Sequence, residues 1–380
     1  MDNFIFCNPT KLVFGKGQIK EIENLIPKNK NLMLTFGGGS VKENGVYNQV
    51  VTALKDHDFI EFWGIEPNPK IDTLKKAITI AKKKDINFIL SVGGGSCLDG
   101  TKLIAAGIKY DGDAWDLVLK GYSADSVDFA SVMTLPATGS EMNRGAVISN
   151  ADTKEKYPFY SRCPVFSVLD PETTYSLPDY QISCGIADTF VHVTEQYLTY
   201  PNQSRIMDRW AEGILISLLE IAPKIKNNKK DYDLMSDFML LATMALNGFI
   251  GMGVAQDWAR HQIGHVITAL HGITHAETLT LLHCGLLKTM KEQKKEKLLQ
   301  YAERVWNIST GTDDEKIKEA LNKTETFFKS LGLATRLGEK NIGNDTINEV
   351  ANRFTAQGRK AGEGHNITGE VVRQILENCK

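Results

Sequence analysis

The sequence predicts an α/β domain built on a doubly wound parallel sheet, followed by an all-α domain. Up to about Pro178, short apolar runs alternate with amphipathic runs of helical spacing, the pattern of a parallel sheet covered on both faces. After Pro178 the strand signals end, and apolar residues recur at helical spacing. A chain of 380 residues is long enough for two domains, which we place at 1–178 and 179–380.

The elements of the first domain are predicted from their apolar patterns. Strands are predicted for NLMLTF (31–36), FIEFWG (59–64), NFILSV (87–92), FASVMTLPAT (129–138) and CPVFSVLDP (163–171). Helices are predicted for VYNQVVTALKDH (46–57), IDTLKKAITIAKKK (71–84) and CLDGTKLIAAGI (97–108). Because strands and helices alternate through short loops, the strands are expected to be parallel.

Composition and charge narrow the class of protein. Hydrophobic residues make up 42% and charged residues 24%, as in soluble globular proteins, and the net charge of −2 predicts no nucleic-acid or membrane surface. No apolar stretch approaches the roughly 20 residues of a membrane span, and the N-terminus lacks the pattern of a signal peptide. The 6 cysteines are scattered, without a C-x-x-C pair. We therefore expect a cytoplasmic protein with reduced cysteines.

Two glycine-rich turns, both GGGS, follow predicted strands at 37–40 and 93–96. The second opens a predicted helix, where backbone N–H groups and the helix dipole suit a phosphate group. It lacks the usual G-x-G-x-x-G pattern of dinucleotide-binding proteins. From this context, a phosphate site and a tight turn without a ligand both remain open. Thr138 and Ser140 in PATGSE, which follows another strand, add candidate hydroxyl donors.

Five of the 8 histidines lie in one segment, 260–283. His261 and His265 are four residues apart, as are His271 and His275, which places each pair on one face of a helix. Metal ligation is the simplest reason for this concentration. Since five histidines cannot all ligate one ion, His265 and His271 are assigned to the surroundings of the metal, to catalysis or to packing.

Asp188 and His192, in GIADTFVHVTEQY, form another pair four residues apart on a predicted helix. A carboxylate and an imidazole one turn apart can bind one cation, although such a pair is more often a surface contact. His261 and His275 add two candidate ligands, and their spacing fits a helix, a loop and a return to the same site. One Asp and three His give four ligands and leave room for a substrate oxygen.

Four motifs, taken together, resemble one protein family. In chain order they are GGGSCLDGTK, LPATGSEMN, GIADTFVHVTEQY and HQIGHVITALHGITHAETL. They resemble the iron-containing, group III alcohol dehydrogenases, most closely the NADPH-dependent butanol dehydrogenase and broad-range aldehyde reductase branch. The resemblance covers nearly the whole chain. It implies a dinucleotide-binding first domain and a metal-binding helical second domain.

The resemblance also implies roles for individual residues. The metal ligands fall on Asp188, His192, His261 and His275. The cofactor contacts fall on Gly38, Gly39, Ser40, Asn68, Gly94, Gly95, Ser96, Asp99, Thr134, Thr138, Asn143, Lys156 and Tyr175. His265 corresponds to a position between the metal and the nicotinamide. His271 departs from the wider family, and we expect it to be packed rather than a ligand.

The expected reaction is hydride transfer between NADP(H) and a short- or medium-chain primary alcohol or aldehyde, such as butanol or butanal. A divalent cation is expected to hold the carbonyl oxygen, and the ligand set suits Fe²⁺ and Zn²⁺ equally. The reduced nicotinamide supplies the hydride, and His265 is a candidate for a proton relay. Trp258, just before His261, either lines this site or belongs to the core.

Two other functions remain open from the residues alone. A glycerol-dehydrogenase-like or dehydroquinate-synthase-like protein would share the glycine turns, although the ligand set of one Asp and three His argues against the synthase. A metallohydrolase would use the same ligands without a nicotinamide. Loss of reduced-nicotinamide absorbance with butanal present, dependent on metal, would separate these alternatives.

The first glycine turn predicts a preference for NADPH over NADH. In dinucleotide-binding folds, an acidic residue after the second strand commonly binds the ribose 2′-OH and would repel a 2′-phosphate. Here the turn at 37–40 follows the strand, and no carboxylate comes before Glu43. Ser40 adds a hydrogen-bond donor, and Lys42 adds a positive charge. Similar binding of both cofactors is the alternative.

A homodimer is predicted from the N-terminal region. The segment FCNPTKLVFGKG (6–17) has the pattern of a strand, a turn and a strand before the first buried strand. Such a hairpin needs a sheet edge to pair with. The resemblance implies pairing across a dimer, while a hairpin folded onto its own domain is the alternative.

Overall fold

The structure is a computed structural model that describes residues 1–200 and 204–380. These residues form two compact units. The sheet unit comprises Cys7–Pro178 and Lys224–Asn247, and the helical unit comprises Met1–Phe6, Asp179–Pro223 and Gly248–Lys380. The segments 1–6 and 224–247 therefore group with residues distant in sequence. The two continuous domain ranges, 1–178 and 179–380, remain a prediction.

The sheet unit contains eight strands. In chain order they are β1 (Lys11–Phe14), β2 (Leu32–Phe36), β3 (Phe59–Phe62), β4 (Phe88–Gly93), β5 (Asp128–Met133), β6 (Gly145–Asn150), β7 (Glu155–Tyr160) and β8 (Phe166–Leu169). Six of them form a sheet of order β1-β8-β5-β4-β2-β3, in which every neighbouring pair is parallel. The strands β6 and β7 form a separate antiparallel pair.

Helices make up most of the remaining regular structure. In chain order they are α1 (Ile22–Leu25), α2 (Ser40–Glu43), α3 (Val46–Ala53), α4 (Ile71–Lys83), α5 (Gly95–Ile108), α6 (Ala114–Lys120), α7 (Asp179–Tyr197), α8 (Arg205–Asn227), α9 (Tyr232–Ala245), α10 (Ala259–His271), α11 (His275–Thr289), α12 (Lys291–Arg304), α13 (Asp313–Ser330), α14 (Asn344–Ala356) and α15 (Gly369–Glu377). In the described part after Pro178 the named elements are helical, which confirms the all-α prediction. Among the described residues, no helix is both long and apolar enough to cross a membrane.

Successive residues of the sheet strands face two separate apolar cores. In β2, Leu32 and Leu34 belong to one core, together with side chains of α1 and α3. Met33 belongs to the other core, together with side chains of α4, α5 and α6. Because neighbouring residues on a strand point to opposite faces, the sheet is covered on both sides. The predicted doubly wound parallel sheet is confirmed.

The N-terminal region differs from its prediction. The expected strand–turn–strand over 6–17 is wrong, because this segment contains one strand, β1, which lies parallel to β8. Pro9 cannot donate to a sheet ladder. The Asn8 side chain donates instead to the carbonyl oxygens of Met142 and Asn247, at 2.7 and 3.2 Å. These contacts fix residues just before β1 in a conformation that does not extend the strand.

Candidate active site

Asp188 and His192 lie one turn apart on α7, and each is only 3% exposed. The His192 Nε2 atom is 3.5 Å from the Asp188 Oδ1 atom. Such burial argues against the alternative of an ordinary surface contact between residues four apart. A carboxylate enclosed to this degree requires a positively charged or hydrogen-bonding environment.

The helices α10 and α11 bring two further histidines to the same carboxylate. The Nε2 atoms of His261 and His275 lie 3.9 and 3.8 Å from Asp188 Oδ1. The turn between the helices contains Gly272 with a φ of 68°, a backbone conformation that favours glycine. The helices then pack closely at Gly264, where an added Cβ would lie 2.7 Å from the Thr278 hydroxyl.

The arrangement of these four side chains fits a divalent cation. In a tetrahedral site with bonds of about 2.0–2.2 Å, ligand atoms lie about 3.4 Å apart. The three histidine Nε2 atoms lie 3.5, 3.8 and 3.9 Å from Asp188 Oδ1. Three of the residues, Asp188, His261 and His275, offer ligand atoms that all lie within 4.8 Å of one another. The ligand set itself remains a prediction, which this geometry supports.

The other residues of the histidine-rich segment lie in different surroundings. His265 is 6% exposed, and its ring centroid is 5.3 Å from that of His275. The Trp258 ring is half-buried, 5.3 Å from the His261 ring, so it lies beside the histidine cluster. His271 is exposed and contacts the Thr346 hydroxyl at 2.9 Å. Its predicted packed position is therefore wrong, because it occupies the solvent-facing end of α10.

Sequence reasoning missed a group of buried charges behind His261. The carboxylate of Glu195 on α7 accepts a hydrogen bond from His261 Nδ1 and two from Arg260, through its backbone N–H at 2.8 Å and its Nε at 3.3 Å. Burial raises the pKa of Glu195, but the hydrogen bonds from His261 and Arg260 and the positive charge of Arg260 outweigh it and lower this pKa to about 2. The sequence does contain a pattern that could have identified Glu195, because it lies seven residues after Asp188 and so on the same face of the predicted helix.

The predicted cofactor residues of the sheet unit lie mostly at one edge of the sheet. The turn at 37–40 follows β2, and the turn at 93–96 ends the adjacent β4 and opens α5. Thr134 and the loop to Asn143 follow β5, which neighbours β4 on its other side. Since all six strands are parallel, these segments share the carboxyl edge, where ligands bind in doubly wound folds.

Several of these residues are joined by hydrogen bonds. Asp99 accepts from the Ser140 hydroxyl at 2.7 Å and from the Val147 N–H at 2.9 Å. The fully buried Lys102, also missed, donates to Ser140 and to the side chain of Asn143. Burial lowers the pKa of Lys102 to about 8, although the negative charge of Asp99 acts to raise it. This network fixes the loop after β5 against α5.

Two further predicted residues form a pair elsewhere in the sheet unit. Lys156 on β7 donates to Asn68 Oδ1 at 2.7 Å. Asn68 has a φ of 55°, an uncommon backbone conformation for a residue other than glycine. Tyr175 is half-buried, and its neighbour Ser176 accepts a hydrogen bond from Asn44, just after α2. The assignment of these residues to the cofactor remains a prediction.

Comparison with known families and proteins gives one consistent answer. Residues 9–171 match the family described as iron-containing alcohol dehydrogenase, and residues 182–379 match its C-terminal part. The chain is 46% identical to the NADPH-dependent aldehyde reductase YqhD of Escherichia coli, with full coverage of both chains. It is 40% identical to the probable NADH-dependent butanol dehydrogenase 1 of Bacillus subtilis, with 99% coverage of both.

Solved structures agree with these sequence matches. The crystal structure of the Escherichia coli YqhD protein superposes with a TM-score of 0.98 at 45% identity, over 100% of this chain and 99% of that one. A Thermotoga maritima structure described as NADH-dependent butanol dehydrogenase A superposes with a TM-score of 0.95 at 32% identity and the same coverage. The two family matches together span nearly the whole chain, and both compact units have the fold of these relatives. The chain belongs to the iron-containing alcohol dehydrogenase family.

Proposed function

We propose that this protein reduces short- to medium-chain aldehydes such as butanal, and oxidises the corresponding primary alcohols, with NADP(H) and one divalent metal ion, Fe²⁺ or Zn²⁺. The observation that carries this proposal is the convergence of three histidine Nε2 atoms on the buried carboxylate of Asp188. A metallohydrolase would use such ligands without a nicotinamide, and membership of a dehydrogenase family argues against it. The site is therefore assigned to hydride transfer.

The chain's own residues would hold and enclose the reacting groups. Asp188, His192, His261 and His275 would hold the cation, in keeping with their mutual distances. When bound, the cation supplies Lewis-acid polarisation of a carbonyl group, and the reduced nicotinamide supplies a hydride. The Trp258 ring centroid lies 6.1 and 5.3 Å from those of His192 and His261, where the ring would restrict the access of water from that side. Exclusion of water strengthens every charge interaction in such a site.

His265 is assigned to proton transfer. Its buried ring lies one helical turn after His261 on α10, with ring-centroid distances of 6.2 Å to His261 and 5.3 Å to His275. His265 therefore lies near the proposed metal ligands without being one of them. Imidazole gives and accepts protons near neutral pH. We propose that His265 belongs to the path by which the alcohol product gains its proton.

NADPH is proposed as the preferred cofactor. The named relatives do not agree on this point, since the Escherichia coli protein is described with NADPH and the Bacillus subtilis protein with NADH. The turn at 37–40 bears no carboxylate, and Lys42 follows it closely. The Lys42 ammonium lies 4.1 Å from the ring centroid of Trp63, which in turn stacks on Phe36 at 4.0 Å. This contact keeps a positive charge beside the turn.

Purified protein is expected to oxidise NADPH when butanal is added, and to stop doing so after metal removal. Chelation should remove the Lewis acid, and restoring Fe²⁺ anaerobically, or Zn²⁺, should restore the rate. The measurement is the loss of reduced-nicotinamide absorbance, with specificity constants for NADPH and NADH. Full activity in metal-free protein would contradict the metal assignment. Ester or amide hydrolysis without nicotinamide oxidation would favour the metallohydrolase.

A homodimer in the cytoplasm is proposed as the working form. The strand β1 lies at one end of the strand order, so one of its edges has no strand partner among the described residues. In the helical unit, the consecutive residues Phe4, Ile5 and Phe6 are 48%, 99% and 42% exposed. Open strand edges and consecutive exposed apolar side chains both favour association with another chain.

Light scattering is expected to give twice the 42.2 kDa mass of the chain at working concentration. The change Ile5→Asp should shift this mass toward the monomer, because it places a charge where an apolar side chain would be buried. A monomeric mass for the unmodified protein would rule out the dimer. A dimeric mass for Ile5→Asp would place the interface elsewhere.

A further inference from the structure

Glu195 is a fully buried carboxylate that connects one proposed metal ligand to a buried cation. Its side chain is 0% exposed on α7. The Oε2 atom contacts His261 Nδ1, while the Oε1 atom accepts from the backbone N–H and the Nε of Arg260. Both oxygens are thus occupied, and each faces a different partner.

This geometry fixes the proton of His261. A carboxylate only accepts hydrogen bonds, so the shared proton belongs to His261 Nδ1. In a neutral imidazole the Nε2 atom then carries the lone pair. That atom has no hydrogen-bond partner among the described residues and lies 3.9 Å from Asp188 Oδ1. The lone pair is directed to the side where the other ligand atoms converge.

We propose that Glu195 is a positioning residue for the metal site, because it holds His261 in the tautomer that presents Nε2 to the cation. This inference rests on the proposed metal site. Histidine ligands commonly donate their second N–H to a carboxylate or carbonyl, which fixes ring orientation and increases ligand basicity. Here the acceptor is a full carboxylate that stands within the same helix as two other ligands, Asp188 and His192.

Arg260 and His283 complete the arrangement behind Glu195. The Arg260 guanidinium is 0% exposed and donates to His283 Nδ1 at 2.8 Å and to the Thr194 hydroxyl at 3.3 Å. Since His283 Nδ1 accepts this bond, His283 is neutral and Arg260 is the cation that compensates Glu195. Arg260 also precedes His261 in sequence, so its contacts fix the start of α10 relative to α7.

The change Glu195→Gln tests the proposal with little change in shape. Because Arg260 gives two N–H groups to Oε1, the Gln carbonyl would take that place and its amide NH₂ would face His261 Nδ1. The imidazole would then protonate on Nε2 and lose its lone pair for the metal. We expect Zn²⁺ affinity to fall about 10- to 100-fold, measured by competition with a chromophoric chelator.

A matched control is available in Glu212→Gln. Glu212 is 2% exposed in the helical unit and accepts from Arg209 and Arg304, but its partners are not proposed ligands. This variant shares the loss of a buried charge, and it should bind Zn²⁺ as tightly as the unmodified protein. If Glu212→Gln weakens Zn²⁺ binding as much as Glu195→Gln, general destabilisation explains both results and the proposal is wrong.

A second background separates positioning from simple charge compensation. If Glu195 acts through His261, Glu195→Gln should change Zn²⁺ affinity less than about 2-fold in a His261→Ala protein, in which the three remaining proposed ligands are expected to bind Zn²⁺ more weakly but measurably. An equal loss in both backgrounds would overturn the proposal.

A second variant, Glu195→Asp, keeps the proposal testable if Glu195→Gln fails to fold. The shorter side chain keeps the charge beside Arg260 but withdraws it from His261, so weaker Zn²⁺ binding is again expected. If the unmodified protein binds neither Zn²⁺ nor Fe²⁺, the proposed function is wrong. If the unmodified protein binds Zn²⁺ and the Glu195→Gln variant, or the folded Glu195→Asp variant, binds it equally tightly, only the role of Glu195 is wrong.

Discussion

Replacing His261 or His275 by Ala is expected to abolish turnover of butanal while leaving the fold intact. Each change removes one of the three histidine Nε2 atoms that converge on Asp188 Oδ1, and therefore one of the four proposed metal ligands. Loss of Lewis-acid polarisation costs several kcal/mol of transition-state stabilisation, so kcat/KM should fall by about 10³ or more. Metal content, circular dichroism and steady-state rates measured on the same preparation check this expectation.

His265→Ala provides the contrast from the same helix. His265 lies one turn after His261 but is not a proposed ligand, so this variant should keep its metal, turn over more slowly and show a changed pH–rate profile. An unchanged profile would reduce His265 to a packing residue. Retention of both metal and activity in His261→Ala or His275→Ala would contradict the ligand assignment itself.

The metal site shows what local spacing can and cannot establish. Residues four apart on a helix share a face, so the pair on α7 and the pair His261 and His265 on α10 followed from sequence alone. The same expectation is wrong for His271 and His275, because α10 ends at His271 and α11 begins at His275. Their meeting at one carboxylate depends on the packing of α7, α10 and α11, which the spacing does not contain. The ligand set came from combining the spacing with the family resemblance. Glu195 was missed because a carboxylate on a helix is usually solvated, and its burial is visible only in the fold.

The sheet was predictable where its strands are fully buried. All five residues of β2 and all six of β4 are buried, and such apolar runs read clearly as strands. The antiparallel pair of β6 and β7 was not predicted, because Pro158 interrupts the apolar pattern of β7. The parallel pairing of β1 with β8 joins residues more than 150 positions apart, and no local pattern specifies such a register.

Lys102 illustrates the same difficulty in the sheet unit. A lysine within a helix is normally exposed, so sequence alone gave no reason to place it in the core. Its ammonium group is fully buried because four acceptors, all between Ser140 and Gly145, surround it. These acceptors lie about 40 residues after Lys102 in the sequence, and they reach its ammonium group because the chain that follows β5 packs against α5.

Gly38→Asp is expected to lower kcat/KM for NADPH on the order of 100-fold, with little change for NADH. A carboxylate in the turn after β2 would face the 2′-phosphate, and opposing like charges costs several kcal/mol. The same carboxylate can accept a hydrogen bond from the ribose 2′-OH of NADH. The measurement is the ratio of the two specificity constants with butanal as substrate.

Gly38→Ala separates the charge from the side chain. An added Cβ at Gly38 meets no atom within 4 Å, and the residue does not have the positive φ that favours glycine. The Ala variant should therefore keep the cofactor ratio of the unmodified protein. Gly39, with a φ of 110°, is unsuitable for this comparison because any side chain there would strain the backbone.

Ionic strength provides an independent check on the same interpretation. Lys42 is exposed at the surface although its ammonium rests on the Trp63 ring, so its attraction for a 2′-phosphate should be screened by salt. Added salt should then raise KM for NADPH more than KM for NADH, and the difference should shrink in Gly38→Asp, where the added carboxylate opposes Lys42. A higher specificity constant with NADH in the unmodified protein would show that this interpretation of the turn is wrong. The metal chemistry would stand in that case, because the ligands at Asp188 belong to the helical unit and the turn belongs to the sheet unit.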